Sequence, residues 1–185
     1  MPVTLETKRL ILREPDDADA QLLLDYYDRN EPRLALWEPE HDGQLAQQLR
    51  WIAWRKGESA VERGRSFLAL DRADPATLVA ILNMYDITRG QVHMAMLGYS
   101  VDGSYEGRGY ARESLEALVL YAFGTLNLHR LYANYQPNNE RSGALLARLG
   151  FSIEGTARDL VYLRGVWRDH VMTSLLNPLW IPPES

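Results

Sequence analysis

The sequence contains no cysteine, and this absence excludes three kinds of site. A disulfide framework, a thiolate zinc site and a cysteine nucleophile all need that side chain. No stretch approaches the ~20 consecutive apolar residues that a membrane-spanning helix needs. Residues 1–6 lack the apolar run of a secretory signal peptide. We therefore expect a cytoplasmic protein that does not bind membranes.

An excess of positive charge is also absent. The 185 residues carry a formal net charge of -5 at pH 7, whereas a general nucleic-acid binder is normally basic, so we predict no direct nucleic-acid binding. The negative charge is compatible with a cationic substrate. Hydrophobic residues make up 46% of the chain, and the length fits one domain over 1–185 with a C-terminal tail from about 176. A monomer and a homodimer are equally compatible with the sequence.

The periodicity of apolar residues predicts seven strands and four helices. Helices are expected after the turn at Pro15, from about 44 to 63, after Gly109, and from Asn139 to Gly150. The predicted strands are 10–12, 67–70, 78–85, 93–101, 130–135, 152–163 and 166–175. The order β-α-α-β-β-β-α-β-α-β-β predicts an α/β (α+β) protein with helices on the faces of a central sheet.

Two of these segments carry finer predictions. Strand 93–101 is apolar on both faces, which is typical of a strand in the middle of its sheet. Helix 44–63 is expected to turn its apolar residues toward the core, together with two tryptophans at helical spacing. The residues predicted to be buried in this way are Leu45, Leu49, Ile52, Ala53, Trp51 and Trp54.

The most informative segment is the turn from Gly107 to Gly109, which follows an apolar strand and begins a helix. Backbone amides at a helix N-terminus are unsatisfied donors, and the helix dipole adds positive potential there. Glycines let the backbone approach an anion, and Arg108 and Arg112 add positive charge, so a phosphate group is the natural ligand. The P-loop and dinucleotide-binding glycine patterns are both absent, and a lone Gly-x-Gly is also typical of a plain tight turn.

A second motif begins about thirty residues further on, at Pro137. It leads through Asn139 and Ser142 into an apolar helix that ends at Gly150. A helix with an asparagine cap and a closing glycine is ordinary structure, in which Asn139 and Ser142 only satisfy backbone groups. The alternative is that both polar side chains belong to a site.

Taken together, the two motifs resemble the GCN5-related N-acetyltransferase (GNAT) superfamily. In that superfamily a Gln/Arg-x-x-Gly-x-Gly/Ala loop holds the coenzyme A pyrophosphate, and an asparagine on the later helix contacts the pantetheine arm. Here Gly109 and Ala111 match the loop, Asn139 matches the asparagine, and Glu106 replaces the usual Gln or Arg. The resemblance implies a GNAT fold, with a mixed, mostly antiparallel central sheet of about seven strands.

Within the superfamily, the chain looks like the ribosomal-protein N-terminal alanine acetyltransferases of the RimJ/RimL type. The matching segments are 7–13, 97–100, 107–109, 129–130, 133–135, 137, 139, 141–143, 145–151, 154–155 and 167–171. The resemblance implies that acetyl-coenzyme A (acetyl-CoA) is the acetyl donor and that a free amine attacks it directly. We expect the Glu106 side chain to point away from the phosphates. The implied donor-binding residues are Tyr99, Ser100, Val101, Gly107, Arg108, Gly109, Tyr110, Ala111, Arg112 and Asn139.

The same resemblance suggests the catalytic groups. Many members of the superfamily use a tyrosine seven residues after the helix asparagine, where this chain has Leu146. RimL-type enzymes have a serine where Ser142 stands, and we take Ser142 as the proton donor to the leaving thiolate. The glutamate that RimL-type enzymes use as a base corresponds to Val161. Glu113 is taken as the candidate base, and a bound water chain is an alternative. The other candidates for that role are Glu38, Asp159 and His170.

The prediction for the acceptor side rests on the helical region that, in this superfamily, covers the site of the acceptor amine. Trp37 and Glu38 lie there in a predicted loop, where Glu38 could attract an ammonium group. No metal site is predicted. The leading hypothesis is acetylation of the N-terminal α-amino group of a protein, such as a ribosomal protein that begins with alanine. The alternatives are acetylation of a small-molecule amine (a polyamine, amino acid or antibiotic) and a non-catalytic acyl-CoA-binding or ribosome-assembly module.

Overall fold

The computed structural model describes residues 3–182, which form one eight-stranded sheet flanked by four α-helices. The helices are α1 (Ala20–Leu34), α2 (Leu45–Ala60), α3 (Tyr110–Leu120) and α4 (Glu140–Arg148). The strands are β1 (Thr4–Glu6), β2 (Leu10–Arg13), β3 (Arg65–Asp71), β4 (Leu78–Thr88), β5 (Met94–Val101), β6 (Arg130–Tyr135), β7 (Ser152–Leu163) and β8 (Val166–Leu176). The predicted α/β class is confirmed.

The predicted number of strands needs one correction, from about seven to eight in the described part of the chain. The additional strand is β1, which pairs antiparallel with β2 at the edge of the sheet. It has only 3 residues, which is too short to show the alternation by which a strand is predicted from sequence.

The strand order β1-β2-β3-β4-β5-β6-β8-β7 leaves one pair of neighbours, β5 and β6, parallel. The other neighbouring pairs are antiparallel. A parallel pair needs a crossover connection, and α3 provides it. β5 lies in the interior of the sheet, as its two apolar faces predict.

β5 and β6 diverge halfway along their length. Their pairing runs from Met94 opposite Arg130 to Leu97 opposite Ala133 and ends there, although both strands continue with their outer neighbours. The N–H of Asp102 donates to β4 at 2.8 Å, so strand alternation directs the N–H groups of residues 99 and 101 toward the open side. The divergence therefore leaves a cleft with free backbone groups on its β5 wall.

Apolar cores cover both faces of the sheet. On one face Leu115 and Leu118 of α3 are fully buried against strand residues such as Phe67. On the other face, α1 and α2 cover Leu68, the next residue of the same strand, and alternate strand residues face opposite ways. Each fully buried leucine or phenylalanine contributes about 1.5–3 kcal/mol. The two cores hold the cleft between rigid elements.

The buried face of α2 differs from the prediction. Leu45 and Leu49 are 41% and 40% exposed, and Ala53 is exposed. Trp54 is also exposed, while Trp51 is half-buried. The buried stripe is Gln48, Ile52 and Arg55, which lie three to four residues apart on one side of the helix.

Arg55 can be buried because its guanidinium is hydrogen-bonded on several sides. It donates to the hydroxyl of Ser66 and to the carbonyls of Arg65 and Met84, the last two at 3.2 Å. It also lies 4.6 Å from the ring centroid of Tyr85. A charged residue is buried only where partners replace its water, and here those partners come from β3 and β4.

Candidate active site

The turn before α3 has the geometry of an anion site. Gly107 and Gly109 both have left-handed backbones, with φ of 69° and 81°, and α3 begins directly after Gly109. The amides in the first turn of a helix have no acceptor within the helix. In α3 the helical bonding starts with Glu113, whose N–H donates to Gly109 O at 3.1 Å. Apart from its two chain neighbours, no described residue has an atom within 4 Å of the position that a Cβ of Gly107 would take. The turn thus offers free amides beside open space.

The Glu106 carboxylate turns toward two cations. Arg33 of α1 donates to it at 2.8 Å, and Arg141 of α4 donates to its other oxygen. Arg33 also donates to the Val101 carbonyl. Because Glu106 is paired in this way, it adds no free negative charge to the turn, and it links the turn to α1 and α4.

The other predicted donor-binding residues divide into exposed and buried side chains. Arg108 and Arg112 are both exposed at the start of α3, where Arg112 pairs with Glu116 at 2.7 Å. Tyr110 is buried, with the guanidinium of Arg9 3.9 Å from its ring centroid. Ala111 is half-buried. The two arginines remain candidates for contact with a phosphate, while Tyr110 serves the packing of the turn.

Glu113 lies away from the cleft and is fully engaged. Thr7 donates to it at 2.7 Å, and Arg9 donates from its backbone at 2.8 Å and from its side chain at 2.6 Å. Burial acts to raise the pKa of Glu113, but these hydrogen bonds outweigh it and hold the pKa below its ordinary value. The structure therefore gives Glu113 an anchoring role between the N-terminal segment and α3, in place of the base predicted from sequence.

A cavity of about 390 Å³ lies where β5 and β6 diverge. It is bordered by β4, by the segment between α1 and α2, and by the first turn of α4. Among the candidate bases, Glu38 and His170 line it, whereas exposed Asp159 does not. The predicted site residues that line it are Trp37, Glu38, Tyr99, Ser100, Asn139 and Ser142.

Two hydroxyl groups meet on the donor side of this cavity. The Tyr99 hydroxyl from β5 lies 2.7 Å from the Ser142 hydroxyl on α4. Burial raises the pKa of Tyr99 to about 12, although the hydrogen bond with Ser142 acts to lower it. Asn139 caps α4 by accepting from Ser142 N–H at 3.1 Å. The Ser142 hydroxyl is therefore joined to a second proton-bearing group, which no sequence pattern indicates.

The opposite side of the cavity is aromatic and carries one negative charge. Tyr27 of α1 stacks on His41, with ring centroids 3.6 Å apart and planes 22° apart. Trp37, Trp51 and Tyr85 also line this side. Among the described residues around the cavity, Glu38 is the one carboxylate, and none is a lysine or arginine. Such a wall suits a compact cation, because ring faces and a carboxylate both attract positive charge.

The comparisons with known proteins agree with this geometry. A family model described as an acetyltransferase (GNAT) domain matches residues 9–152. The chain is 40% identical over 183 residues to the [ribosomal protein uS5]-alanine N-acetyltransferase of Escherichia coli (strain K12), covering 97% of this chain and 94% of that protein. The chain belongs to the GNAT acetyltransferase family.

Solved structures of GNAT proteins support the same assignment. A ribosomal-protein-S5-alanine acetyltransferase from Vibrio fischeri superposes with a TM-score of 0.90 at 31% identity, covering 97% of this chain and all (100%) of that one. RimJ from Mycobacterium smegmatis, in complex with CoA-disulfide, gives a TM-score of 0.86 at 25% identity, covering 95% and 88%. The predicted resemblance to the RimJ/RimL type is confirmed.

As a GNAT acetyltransferase the protein uses acetyl-CoA, as predicted. The free amides and open space at the Gly107 turn fit a pyrophosphate, and the cleft between β5 and β6 fits an extended arm ending beside Ser142. When bound, the coenzyme supplies an acetyl thioester. Among residues 3–182 of this GNAT protein, no helix is long and apolar enough to cross a membrane.

The left-handed glycine before α3 yields a first prediction. Gly109→Ala should weaken coenzyme A binding by about tenfold. An L-residue disfavours this conformation by about 1–2 kcal/mol, so the turn relaxes away from the anion-binding arrangement. A steric clash is not the cause, because the nearest atom to a Cβ would be Arg9 Nη2 at 3.5 Å. Titration calorimetry with coenzyme A measures the change.

Gly90 provides a matched control. It has the same φ of 81° and lies between β4 and β5. Beyond its chain neighbours, nothing in residues 3–182 comes within 4 Å of its Cβ position. Gly90→Ala should lose a similar amount of stability and bind coenzyme A as the wild type does. Equal coenzyme affinity of the two variants would contradict the anion-binding role of the turn at Gly109.

Proposed function

We propose that this acetyltransferase acetylates the N-terminal α-amino group of a protein, and that the acceptor is a ribosomal protein that begins with alanine. The similarity to the E. coli uS5-alanine enzyme over 97% of the chain supports this acceptor class. The observation that carries the proposal is the aromatic wall with Glu38 as its one carboxylate. A peptide N-terminus brings one positive charge, and the wall provides one negative charge to meet it.

A polyamine acceptor fits this wall less well. A polyamine carries several positive charges spaced along one chain, and each desolvated charge needs a counter-charge or a solvent path. The described lining offers Glu38 alone. The cavity lining also includes Gln48 Nε2 and Asn134 Oδ1 as buried polar atoms without a partner among the described residues. One donor and one acceptor suit the backbone of a peptide.

On the donor side we assign roles that follow from position. The amides from Gly107 to Arg112 hold the pyrophosphate, and Asn139 lies beside the arm. The free N–H groups of Tyr99 and Val101 polarise the thioester carbonyl, because preorganised donors at that oxygen stabilise the charge that develops on it. Ser142 gives a proton to the departing sulfur, and Tyr99 shares that proton through its 2.7 Å hydrogen bond.

The hydroxyl pair also argues against a non-catalytic acyl-CoA-binding module. Leu146 and Val161 stand where relatives have a catalytic tyrosine and glutamate. However, the phenol of Tyr99 on β5 lies within hydrogen-bond distance of the Ser142 hydroxyl. We propose that the enzyme works as a single domain, as a monomer or homodimer, in the cytoplasm. In the described part of the tail, up to residue 182, Trp180 Nε1 donates to Asn127 O at 3.1 Å.

The acceptor is tested by thiol release from acetyl-CoA with a panel of amines. A peptide with the N-terminal sequence of ribosomal protein uS5 should give the highest kcat/KM, and spermidine should react at least tenfold less efficiently because Glu38 matches only one of its charges. The same peptide with an acetyl-blocked N-terminus is the control and should release no thiol. Faster reaction with spermidine than with the peptide would refute the proposed acceptor.

A further inference from the structure

Glu38 and His41 present two polar atoms toward each other in the acceptor half of the cavity. Glu38 Oε2 and His41 Nε2 are 3.7 Å apart, which is too far for a direct hydrogen bond. His41 Nε2 is buried and has no hydrogen-bond partner among the described residues. An ammonium nitrogen that bonds both atoms at about 2.8 Å, the usual length of a charge-assisted bond, must open the pair slightly to enter, because His41 Nε2 has almost no exposed surface.

One face of the His41 ring is fixed by stacking on Tyr27. Tyr27 stacks on it with centroids 3.6 Å apart, and Tyr27 is itself only 8% exposed on α1. A stacked ring on a buried helix residue has little freedom to turn, so Nε2 keeps its direction toward Glu38. An unpaired ring nitrogen in a buried wall costs free energy unless a ligand donates to it.

We propose that Glu38 and His41 form the seat of the acceptor ammonium, with Glu38 pairing with its charge and His41 Nε2 accepting the proton that it loses before attack. This rests on the proposed amine acetylation. It makes His41, which the sequence does not single out, a catalytic residue, and it limits the acceptor to a primary ammonium small enough to enter between the two side chains.

The protons balance along this route. Two protons leave the acceptor nitrogen as the ammonium becomes an amide. The first passes to His41 and then to solvent, which frees the lone pair that forms the N–C bond. The second is lost as the C–S bond breaks, and through the Tyr99 and Ser142 hydroxyls it replaces the proton that Ser142 gives to the sulfur. The sum is one amide, one thiol and one released proton.

The groups that face His41 leave few competitors for this role. Burial raises the pKa of Tyr27, and burial also raises that of Tyr85 on β4, with Arg55 acting against it, so both phenols stay neutral near pH 7. Glu38 is the one described carboxylate at the cavity. His170 on β8 also lines the cavity. Its Nδ1 lies 3.1 Å from the Arg168 carbonyl, and an N–H donated there leaves Nε2 as the nitrogen that can accept a proton. His170 is therefore the competing base to be tested.

The test uses His41→Gln, Glu38→Gln and His170→Gln in the full chain, with exposed Glu40→Gln as the matched control. His41→Gln should lower kcat/KM for the alanine peptide by about 100-fold at pH 7. Its kcat/KM should then rise about tenfold per pH unit up to the pKa of the peptide amine, about 8, because only free amine reacts. The wild type should change less steeply.

Equilibrium measurements separate binding from proton transfer. With coenzyme A bound, Glu38→Gln should weaken peptide affinity about tenfold, and His41→Gln should weaken it less. Coenzyme A affinity should be unchanged in both, which also verifies folding, and His41→Asn serves as a second variant. Imidazole added to His41→Ala should restore part of the rate.

Three results would overturn the proposal. The first is a wild type that acetylates the peptide while Glu38→Gln and His41→Gln behave like Glu40→Gln. The second is a steep pH slope in His170→Gln in place of His41→Gln. The third is no reaction of the wild type with any amine, which would overturn both proposals. If the wild type ignores the peptide but acetylates another amine, only the proposed acceptor class fails, and the variants are judged with that amine.

Discussion

Replacing Ser142 with alanine is expected to lower turnover about 100-fold and to leave coenzyme A affinity within about twofold. The Ser142 hydroxyl lies in the cavity and is bonded to Tyr99, whereas the cap at Asn139 uses the Ser142 backbone N–H. The substitution therefore removes a proton donor and keeps the helix cap. Steady-state thiol release and calorimetry with coenzyme A measure the two quantities.

Tyr99→Phe completes a double-mutant cycle. If the two hydroxyls act as one unit, Tyr99→Phe should also reduce turnover, and the double variant should be no slower than the slower single variant. Exposed Ser152, which makes no side-chain hydrogen bond in the described structure, gives the control Ser152→Ala with full activity. Unchanged turnover in Ser142→Ala would reject the donor role and leave Ser142 as a helix residue only.

The donor side of the site could be predicted from sequence because it depends on local features. The Gly107 turn, the first turn of α3 and the cap at Asn139 each follow from residues that are close in the chain. The same holds for β5, whose apolar faces predicted an interior strand. The family resemblance then named the donor, and the family comparison confirmed it.

Two side-chain contacts in the site could not be predicted, because no sequence pattern pairs their residues. On the acceptor side, Trp37 and Glu38 were predicted, but the stacking of Tyr27 on His41 was not. On the donor side, the hydroxyls that meet belong to Tyr99 and Ser142, which are 43 residues apart in the chain. For Glu113, the sequence suggested a catalytic role that the contacts in the structure argue against. Its position near the phosphate turn suggested a base, but Thr7 and Arg9, about a hundred residues earlier, occupy its carboxylate.

The prediction of the buried face of α2 was wrong because burial there depends on hydrogen-bond partners from other elements. Arg55 is buried only because Ser66 and Met84 supply partners from two strands, and periodicity of apolar residues cannot anticipate such partners. Leu45 and Leu49 lie next to this stripe along the helix surface and are nevertheless 41% and 40% exposed. A polar stripe on a helix predicts solvent by default, so burial of Gln48 and Arg55 is visible only in three dimensions.

The contact between α4 and β6 yields the second large prediction, for Gly143→Ala. A Cβ at Gly143 would lie 2.8 Å from ring atoms of Tyr135, so the ring or the helix must move by about 1 Å to reach ordinary contact. A shift of that size beside the reacting atoms costs up to about 100-fold in rate, and Ser142 is the neighbouring residue. We expect turnover to fall by that order and thermal stability to gain nothing.

The absence of any gain in stability is informative, because helix propensity alone predicts the opposite. Alanine is better than glycine in a helix by about 0.5–1 kcal/mol. Outside its own helix turn, Gly57 in α2 has no described atom within 4 Å of its Cβ position. Gly57→Ala should therefore raise the melting temperature by about 2–4 °C and leave turnover unchanged. The pair compares one substitution in two helices, with and without a ring in the way.

A third variant assigns the cause to the ring. In a Tyr135→Leu background the obstruction at Gly143 is gone, so adding Gly143→Ala should raise the melting temperature as Gly57→Ala does. If Gly143→Ala instead stabilises the wild-type protein and keeps full turnover, the Tyr135 ring yields freely and α4 is not fixed by this contact. Scanning calorimetry and thiol release on the same samples decide between a helix positioned by the Tyr135 ring and one positioned by its cap at Asn139 alone.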